Sequence, residues 1–406
     1  MGEAVGKAAG VQERLTDFVR EVTANLGHVR RPENALTYVR GLLEQGGRKS
    51  LQPTMFRLEE TPARYESMQQ FLADSPWEPG QLLRALATRV VPEIGLLAWV
   101  VDDTGIPKCG RHSPGVKRQY SGTLGKIGNC QITVSLHAVG LRGTLPLGWA
   151  LYLPEDWTSD PDRRRQAKIP TEVSFKTKPE LAYELCAEAA SWELPTGPVL
   201  IDAAYGNDSA FRSKLAALGL TYVAAVQVET TVYGPETTFT LPEGEARRGR
   251  PRSLPVPDRE PESVRDLALG LPEAAFKTLA CRTTPGGKEI ESRFAFLRVV
   301  AAHPVLRARQ EPRWEWLIIE WPEGESVPTD CWLSNLPEDE PLERLCRLAR
   351  LRWTIELDYR QLKGELGLDH YEGRSYAGFH HHCALVTCAH AFLTLERLDP
   401  KVRRPV

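Results

Sequence analysis

Two apolar runs that each end in aspartate constrain the fold of this chain more than any other feature. Residues 96–101 form the first run, and Asp102 and Asp103 follow it; residues 198–201 form the second, and Asp202 follows it. Short apolar runs of this length are typical of buried strands. Because open α/β sheets place functional side chains at the carboxyl ends of their strands, we expect Asp103 and Asp202 side by side at one sheet edge.

Each aspartate also has an ordinary structural interpretation. Adjacent strand residues point to opposite faces, so only one of Asp102 and Asp103 should face a shared site, and we favour Asp103 at the strand's end. An aspartate after a strand is more often a turn residue or a helix cap. For Asp202, the following Asn207 and Asp208 offer competing caps.

A third carboxylate, Glu356, falls in a predicted helix over residues 343–366. Arg352, Glu356, Tyr359 and Lys363 are spaced to share one helix face. Three such carboxylates can hold two divalent ions about 3.5–4 Å apart for phosphoryl transfer. Mg²⁺ suits oxygen ligands, with Mn²⁺ as a substitute, and Arg352, Lys363 and Tyr359 would contact DNA. The alternative is an exposed charged face in which Glu356 pairs with neighbouring arginines.

The distribution of charge favours a nucleic-acid partner, although the net charge is only −2. Residues 104–154 contain no acidic residue, and a further basic run occupies residues 247–252. Basic patches near acidic metal ligands are the layout expected of a nuclease. The alternative is a solvated basic surface with no partner. The predicted DNA contacts in the acid-free segment are Lys108, Lys117, Arg118 and Lys126.

The 406 residues suit two or three domains. Helical periodicity covers the first 90 residues, with a last helix that begins near Gln81 and is expected to end at Pro92. A strand ending at Asp103, a basic loop over 105–128, and further strands and helices then follow in the order β-β-β-α-β-α-β. We expect a mobile loop over 235–261, and alternating strands over 290–300 and 313–321. Helices are predicted over 179–190, 208–218 and 379–398.

Composition excludes several classes of protein. The sequence contains no run of about 18 apolar residues, so no membrane span is predicted. The N-terminus lacks the layout of a signal peptide, and we therefore expect a cytoplasmic protein. Eight scattered cysteines without a Cys-x-x-Cys pair indicate reduced thiols. Consecutive histidines at 380–382 point about 100° apart on a helix and do not readily share a zinc ion. Packing and DNA-facing contacts are expected for them instead.

Several separate motifs resemble one family. They are Asp-Asp-Thr-Gly at 102–105, the stretch at 115–122, Asn-Cys-Gln at 129–131, Leu-Pro-Glu-Asp-Trp at 153–157 and the stretch at 201–208. In this order they resemble bacterial insertion-sequence transposases of the DDE class, in the family numbered seven hundred and one. Wider relatives carry a Tyr-x2-Arg-x3-Glu-x6-Lys signature. Arg352, Glu356 and Lys363 match it, whereas Ala349 stands at the tyrosine position.

The resemblance implies an α/β protein whose RNase H-like catalytic core carries a β-rich insertion domain and a helical N-terminal region. The implied divisions are 1–92 for the DNA-binding region, 93–227 and 337–406 for the core, and 228–336 for the insertion. It further implies Mg²⁺-dependent cleavage at transposon ends, strand transfer into target DNA, a homodimer on paired ends, and a cytoplasmic, nucleoid-associated protein.

Related enzymes that pass through a DNA hairpin stack an insertion-domain aromatic side chain on a flipped base, which is worth about 1–3 kcal/mol. Trp314, Trp316, Trp321 and Trp332 are candidates for this role. The alternative is that Trp314 and Trp316 form a core face with Ile318. At the level of the whole protein, two other functions stay open: a domesticated DNA-binding or regulatory protein, and an RNase H-like nuclease that does not transpose.

Overall fold

The computed structural model describes residues 2–122, 125–241, 255–283, 287–304 and 311–399. The chain is a mixed α/β protein with two compact units. Unit 1 comprises Met1–Leu97, Val101–Thr196 and Thr354–Val406, and unit 2 comprises Ala98–Val100 and Gly197–Trp353. The basic run at 247–252 and much of the predicted 235–261 loop lie outside the described residues.

Five helices open unit 1, which confirms the predicted helical N-terminus. They are α1 (Gly2–Thr23), α2 (Arg30–Leu43), α3 (Leu51–Arg57), α4 (Pro62–Ala73) and α5 (Pro79–Ile94). The 3.6-residue periodicity sets the buried face of α1, where Leu15, Phe18, Val19 and Val22 are all buried.

The predicted end of α5 at Pro92 is wrong, because the helix continues to Ile94. In the last turn Pro92 removes only its own N–H from the hydrogen-bond pattern. Gly95, at φ 67°, provides the left-handed C-cap. The glycine therefore ends this helix, not the proline.

The first five helices of unit 1 are followed by four strands. They are β1 (Leu96–Pro107, of which residues 101–107 belong here), β2 (Lys117–Ser121), β3 (Lys126–Gly140) and β4 (Gly143–Tyr152). β3 neighbours β1 and pairs antiparallel with β2 and β4. Two predictions are corrected: β1 runs on past Asp103, which lies inside the strand, and β2 lies within the predicted 105–128 loop. The continuation is supported by β3, as the Lys108 N–H donates to Asn129 O at 2.9 Å.

The remaining helices of unit 1 include two that carry buried polar residues. They are α6 (Glu155–Thr158), α7 (Pro161–Ala167), α8 (Lys178–Ala190), α13 (Thr354–Gly364) and α14 (Tyr376–Leu398). The predicted helices over 179–190 and 379–398 are confirmed as α8 and α14. α14 packs against α2, α4, α5 and β4, so it forms the centre of this unit.

The consecutive histidines of α14 make hydrogen bonds and ring contacts in the interior of unit 1. His381 stacks on Trp77, with ring centroids 4.0 Å apart, and its ring nitrogens lie 2.7 and 2.8 Å from the carbonyl oxygens of Leu72 and Trp77. The Tyr38 hydroxyl lies 2.9 Å from Nδ1 of His382. The packing part of the prediction for these residues is therefore confirmed.

Unit 2 is built mainly from a mixed sheet. Its strands are β5 (Val199–Ile201), β6 (Tyr222–Val226), β7 (Thr231–Tyr233), β10 (Glu262–Ser263), β11 (Lys277–Thr283), β12 (Glu289–Ala301), β13 (Trp314–Glu320) and β14 (Asp330–Ser334), with a ribbon of β8 (Phe239–Thr240) and β9 (Val256–Pro257). Its helices are α9 (Ala203–Gly206), α10 (Ser209–Ala217), α11 (Val264–Leu269) and α12 (Leu342–Leu351). The strand order is β10-β7-β12-β13-β14-β6-β5, and residues 98–100 of β1 follow β5. The predicted alternating strands are confirmed as β12 and β13.

The predicted single helix over residues 343–366 is wrong. α12 ends at Leu351, Arg352 and Trp353 form a turn, and α13 begins at Thr354. Arg282 stacks its guanidinium over Trp353 at 4.7 Å from the ring centroid, and β-branched residues follow at Thr354 and Ile355, which are poorer helix formers. Arg352 therefore does not continue the helical face that carries Glu356 and Lys363.

No helix among the described ranges combines the length and the apolar character that a membrane crossing requires.

The short α9 packs closely on β6 in unit 2. A Cβ placed on Gly206 would lie 1.9 Å from the carbonyl oxygen of Ala225. We expect Gly206→Ala to lower the free energy of unfolding by about 1–3 kcal/mol, because backbone must move. Gly234→Ala is the matched control in the same unit, since its nearest neighbours would be 3.6 and 3.7 Å away. Urea unfolding of both variants tests this expectation, and equal stabilities would contradict it.

The buried histidines of α14 should make unit 1 sensitive to acid. Burial lowers the pKa of His382 to about 3 and that of His380 to about 4. As the pH falls from about 6.5, the unfolded chain binds protons that the folded chain does not, so stability falls by up to about 1.4 kcal/mol per pH unit for each histidine. His382→Gln should be less stable at pH 8 but should show a shallower loss between pH 6 and 4.

Urea denaturation across this pH range measures the slope. His112→Gln, which replaces an exposed histidine, should keep the wild-type slope. An unchanged slope in His382→Gln would show that His382 does not resist protonation.

Candidate functional site

Asp103 lies in a polar cluster of unit 1. Its Oδ2 accepts a hydrogen bond from Lys178 Nζ at 2.9 Å, and its N–H donates to Asp102 Oδ1 at 2.8 Å. The Asp103 side chain is 21% exposed. Lys178 is the first residue of α8, which begins with a capping box formed by Thr177 and Glu180.

Sequence reasoning missed Lys178, but a signal was present. A cation in the first turn of a helix is disfavoured by the helix dipole, so a lysine there points to a nearby carboxylate. In the structure that carboxylate is Asp103.

Helix α13 is bonded to β1 and β3 through two of the predicted DNA contacts. Lys363 Nζ donates to Gly105 O at 2.9 Å, and burial lowers the pKa of this ammonium. Tyr359 is only 8% exposed, and its hydroxyl lies 2.6 Å from Ser135 Oγ, so Tyr359 does not lie at the surface as its predicted contact with DNA requires. Burial, and then the charges of the nearby aspartates 102 and 103, raise the pKa of Tyr359 well above its ordinary value. Glu356, one turn before Tyr359, is exposed.

A chain of buried polar side chains runs behind Tyr359. The Asp358 network is defined here as the hydrogen-bonded chain of Tyr359, Ser135, His137, Asp358 and His390. His137 Nδ1 lies 2.7 Å from Asp358 Oδ2, and His137 Nε2 lies 3.0 Å from Ser135 Oγ. His390 Nε2 lies 3.1 Å from Asp358 Oδ1. All five side chains are buried.

Asp358 is ionised and His137 neutral in this network. Burial opposes ionisation of Asp358, but the electrostatic attraction of His390 and the hydrogen bonds donated by His137 and His390 outweigh it and hold its pKa well below the usual range. Burial lowers the pKa of His137, against the hydrogen bond that the ring donates to the Asp358 carboxylate, which raises it. Thr144 Oγ1 also donates to Asp358 Oδ1. The carboxylate thus has hydrogen-bond donors from β3, β4 and α14.

The network was also missed from sequence. Along β3, the polar residues Gln131, Thr133, Ser135 and His137 alternate with apolar ones. Such alternation is typical of a strand with one solvated face, yet these four side chains are at most 1% exposed. His137 on that face was the available signal of a buried acidic partner. That partner, Asp358, lies more than 200 positions away in sequence.

In unit 2, Asp202 directly follows β5, as predicted, and caps α9. Its Oδ1 accepts hydrogen bonds from Ala204 N at 2.9 Å and Tyr205 N at 3.3 Å. The helix-cap interpretation of Asp202 is therefore confirmed. Both cap bonds use Oδ1, and within the described ranges no hydrogen bond to Oδ2 is present. Capping thus orients the carboxylate and leaves one oxygen for other ligands.

The basic residues predicted to contact DNA separate into two kinds. Lys117, Arg118 and Lys126 are exposed on the hairpin of β2 and β3, and Lys117 pairs with Asp156 at 3.1 Å. Lys108 is partly buried, donates to Tyr371 O, and has its pKa lowered by burial to about 8. The hairpin also exposes Tyr120 and its cross-strand partner Ile127, at 65% and 58%. Sequence reasoning did not single out this pair.

The tryptophans of unit 2 differ in exposure. Trp316 is buried, and its Nε1 donates to Pro337 O at 2.9 Å, as expected of a core position. Trp332 is also buried, whereas Trp314 is 40% exposed and contacts Phe239 edge to face. Trp314 is thus more available than Trp316 or Trp332 for a stacking partner.

Across the residues with described coordinates, no group of three or more His, Cys, Asp or Glu side chains is gathered in a way that could hold a metal ion. Asp103 and Glu356 lie in unit 1, and Asp202 lies in unit 2.

The chain is similar to known proteins over much of its length. The family described as "DDE superfamily endonuclease" matches residues 21–286. That range contains Asp103 and Asp202, and Glu356 lies outside it. A "Probable transposase for insertion sequence element IS701" from Microchaete diplosiphon is 30% identical over 166 residues, which span 40% of this chain and 40% of that protein.

The family match covers well over half of the chain, and it includes Asp103 in β1 and Asp202 after β5. This chain belongs to the DDE superfamily endonucleases, enzymes that act on DNA.

Proposed function

We propose that this protein is a DNA transposase that cleaves transposon ends and joins them to target DNA by a DDE mechanism. The observation that carries the proposal is the parallel pairing of β1 with β5 in unit 2, where Val100 lies opposite Leu200. Asp202 follows Leu200 by two positions, and the chain of β1 continues from Val100 to Asp103. The similarity to the Microchaete diplosiphon transposase supports the same function.

An RNase H-like catalytic core with a β-rich insertion is part of this proposal. The parallel strands β1, β5 and β6 and the helix after β5 support the core. The antiparallel strands β11 to β14 support the insertion. A homodimer on paired DNA ends follows from the function, because both ends must be joined in one event.

The chemistry of the three predicted ligands supports divalent cations as cofactors. Asp103, Asp202 and Glu356 offer hard carboxylate oxygens, the donors that Mg²⁺ and Mn²⁺ prefer. Asp202 is oriented by two backbone N–H groups through Oδ1, and Glu356 is exposed. Two bound Mg²⁺ ions would activate the attacking oxygen and stabilise the leaving oxygen. The protein's own part is to orient these carboxylates.

The basic side chains of unit 1 would position the DNA backbone. Arg118 and Lys126 are exposed on the β2–β3 hairpin, and phosphate contacts of this kind position the duplex without reading its sequence. Lys363 of unit 1 and Arg352 of unit 2 remain proposed phosphate contacts. The Lys363 ammonium also donates to Gly105 O, and an ammonium has three N–H donors.

Asp202→Asn is the sharpest test of the metal proposal. Asparagine caps helices as well as aspartate does, so the bonds to Ala204 and Tyr205 should survive while the charge is lost. We expect Mg²⁺-dependent cleavage of end-containing DNA to fall by a factor of about 100 or more, with DNA binding retained. Asp103→Asn and Glu356→Gln should behave in the same way.

Asp208→Asn is the matched control. Asp208 caps α10 in the same unit through bonds to the backbone N–H groups of Ala210 and Phe211. It should retain cleavage. Full activity of Asp202→Asn would defeat the metal assignment, and nicking without joined products would indicate a nuclease that does not transpose.

Measurements of DNA binding test the proposed phosphate contacts of the β2–β3 hairpin separately. Arg118→Ala and Lys126→Ala should each weaken DNA binding to a similar degree for all sequences and reduce the slope of log affinity against log salt by about 1. Arg142→Ala is the control, because Arg142 is exposed in the same acid-free segment but lies off the hairpin. Titrations at several salt concentrations measure the slopes, and equal slopes for all variants would remove the hairpin from the interface.

A further inference from the structure

The Asp358 network contains more buried polar and charged groups than packing requires. Ser135 and His137 are fully buried, and Asp358 and Tyr359 are 6% and 8% exposed. Burying an ionised carboxylate without a lysine or arginine partner is costly, and well-packed apolar residues often serve stability as well or better. A network of this kind is better explained by what it positions than by stability alone.

The hydrogen-bond directions in the network can be assigned from Asp358 outward. A carboxylate only accepts, so His137 Nδ1, 2.7 Å from Asp358 Oδ2, carries a proton. In a neutral ring, His137 Nε2 is then an acceptor, and the Ser135 hydroxyl donates to it across 3.0 Å. Since Ser135 has used its one proton, Tyr359 must donate to Ser135 Oγ across 2.6 Å.

The direction of these hydrogen bonds fixes the orientation of the Tyr359 hydroxyl at the other end of the network. The Tyr359 proton points toward Ser135, so the phenol oxygen presents only lone pairs to its other neighbours. Ser135 lies on β3, and the neighbouring strand β1 carries Asp102 and Asp103, whose charges raise the pKa of this phenol. With its proton directed to Ser135, Tyr359 does not donate a hydrogen bond to these carboxylates.

We propose that Asp358, His137, Ser135 and Tyr359 are positioning residues that fix α13 on β3 and keep the Tyr359 proton away from Asp102 and Asp103. The local field then favours a cation near Asp103, where the Lys178 ammonium already lies. Because α13 also carries Glu356, the same bonds restrain the position of that carboxylate. The catalytic consequence rests on the proposed function, whereas the proton arrangement does not.

The proton arrangement is tested by the tautomer of His137. In the full-length protein with ¹⁵N-labelled histidine, two-bond ¹H–¹⁵N spectra distinguish the two neutral tautomers, and loss of signals in His137→Gln assigns the ring. We expect the Nδ1–H tautomer at pH 7 to 8. Asp358→Asn should shift the population toward Nε2–H. An Nε2–H tautomer in the wild type would overturn the inference, because Ser135 would then be free to donate to Tyr359.

The positioning role is tested by separating rate from binding. Tyr359→Phe and Ser135→Ala should each lower the cleavage rate at saturating end DNA by about tenfold, since small misplacements of reacting groups are costly. The DNA concentration at half saturation should stay within about twofold of wild type. The double variant should be no slower than the slower single variant, because both changes break the same link.

Tyr38→Phe is the matched control. Tyr38 is another buried tyrosine of unit 1, and its hydroxyl contacts His382 Nδ1 at 2.9 Å, outside the network. Tyr38→Phe should lose about as much stability as Tyr359→Phe but should keep the wild-type cleavage rate. An equal rate loss in Tyr38→Phe, or no loss in Tyr359→Phe, would overturn the positioning role. Wild-type protein without Mg²⁺-dependent cleavage would instead refute the proposed function, and the histidine spectra would still decide the inference.

Discussion

The buried carboxylate of Asp358 is the interaction on which the arrangement of unit 1 depends. It joins α13 to β3, β4 and α14 through His137, Thr144 and His390. Removing one partner of a buried charge typically costs about 3–5 kcal/mol, because the remaining group stays buried without compensation. The position of α13 therefore has few alternatives. Its bond from Lys363 to β1 and the location of Glu356 both follow from that position.

The same principle explains why a helix rich in histidine can occupy the centre of this unit. α14 buries three of its histidines almost completely, and a buried neutral imidazole is stable only when its N–H finds an acceptor. His382 contacts Tyr38 on one side and the carbonyl oxygens of Gly367 and Leu368 on the other. Such bonds link the N-terminal helices to the C-terminal helix across most of the sequence, which makes the first 95 residues part of the same packed unit.

Local patterns predicted much of the fold, and tertiary contacts account for the errors. The strand before Asp202 and the helix after Asp208 follow from short-range apolar and capping signals. The continuation of β1 past Asp103 depends on its neighbour β3, and the break at Trp353 accompanies the stacking of Arg282, more than 70 residues earlier in sequence. The buried polar face of β3 could not be predicted from its alternation, because its carboxylate partner is supplied by a helix near the other end of the chain.

Two candidate metal ligands carry a negative charge that stability does not explain. Asp202 caps α9, but asparagine would cap it nearly as well, so the cap requires the side-chain oxygen and not the charge. Asp103 pairs with Lys178 in a partly exposed ion pair, which is worth at most about 1 kcal/mol, and the lysine lies at the helix end where the dipole disfavours it. Folding energy therefore accounts for the geometry at both positions but not for the choice of a charged residue. Phosphoryl transfer through divalent cations would use that charge directly, because only ionised carboxylates bind such ions strongly.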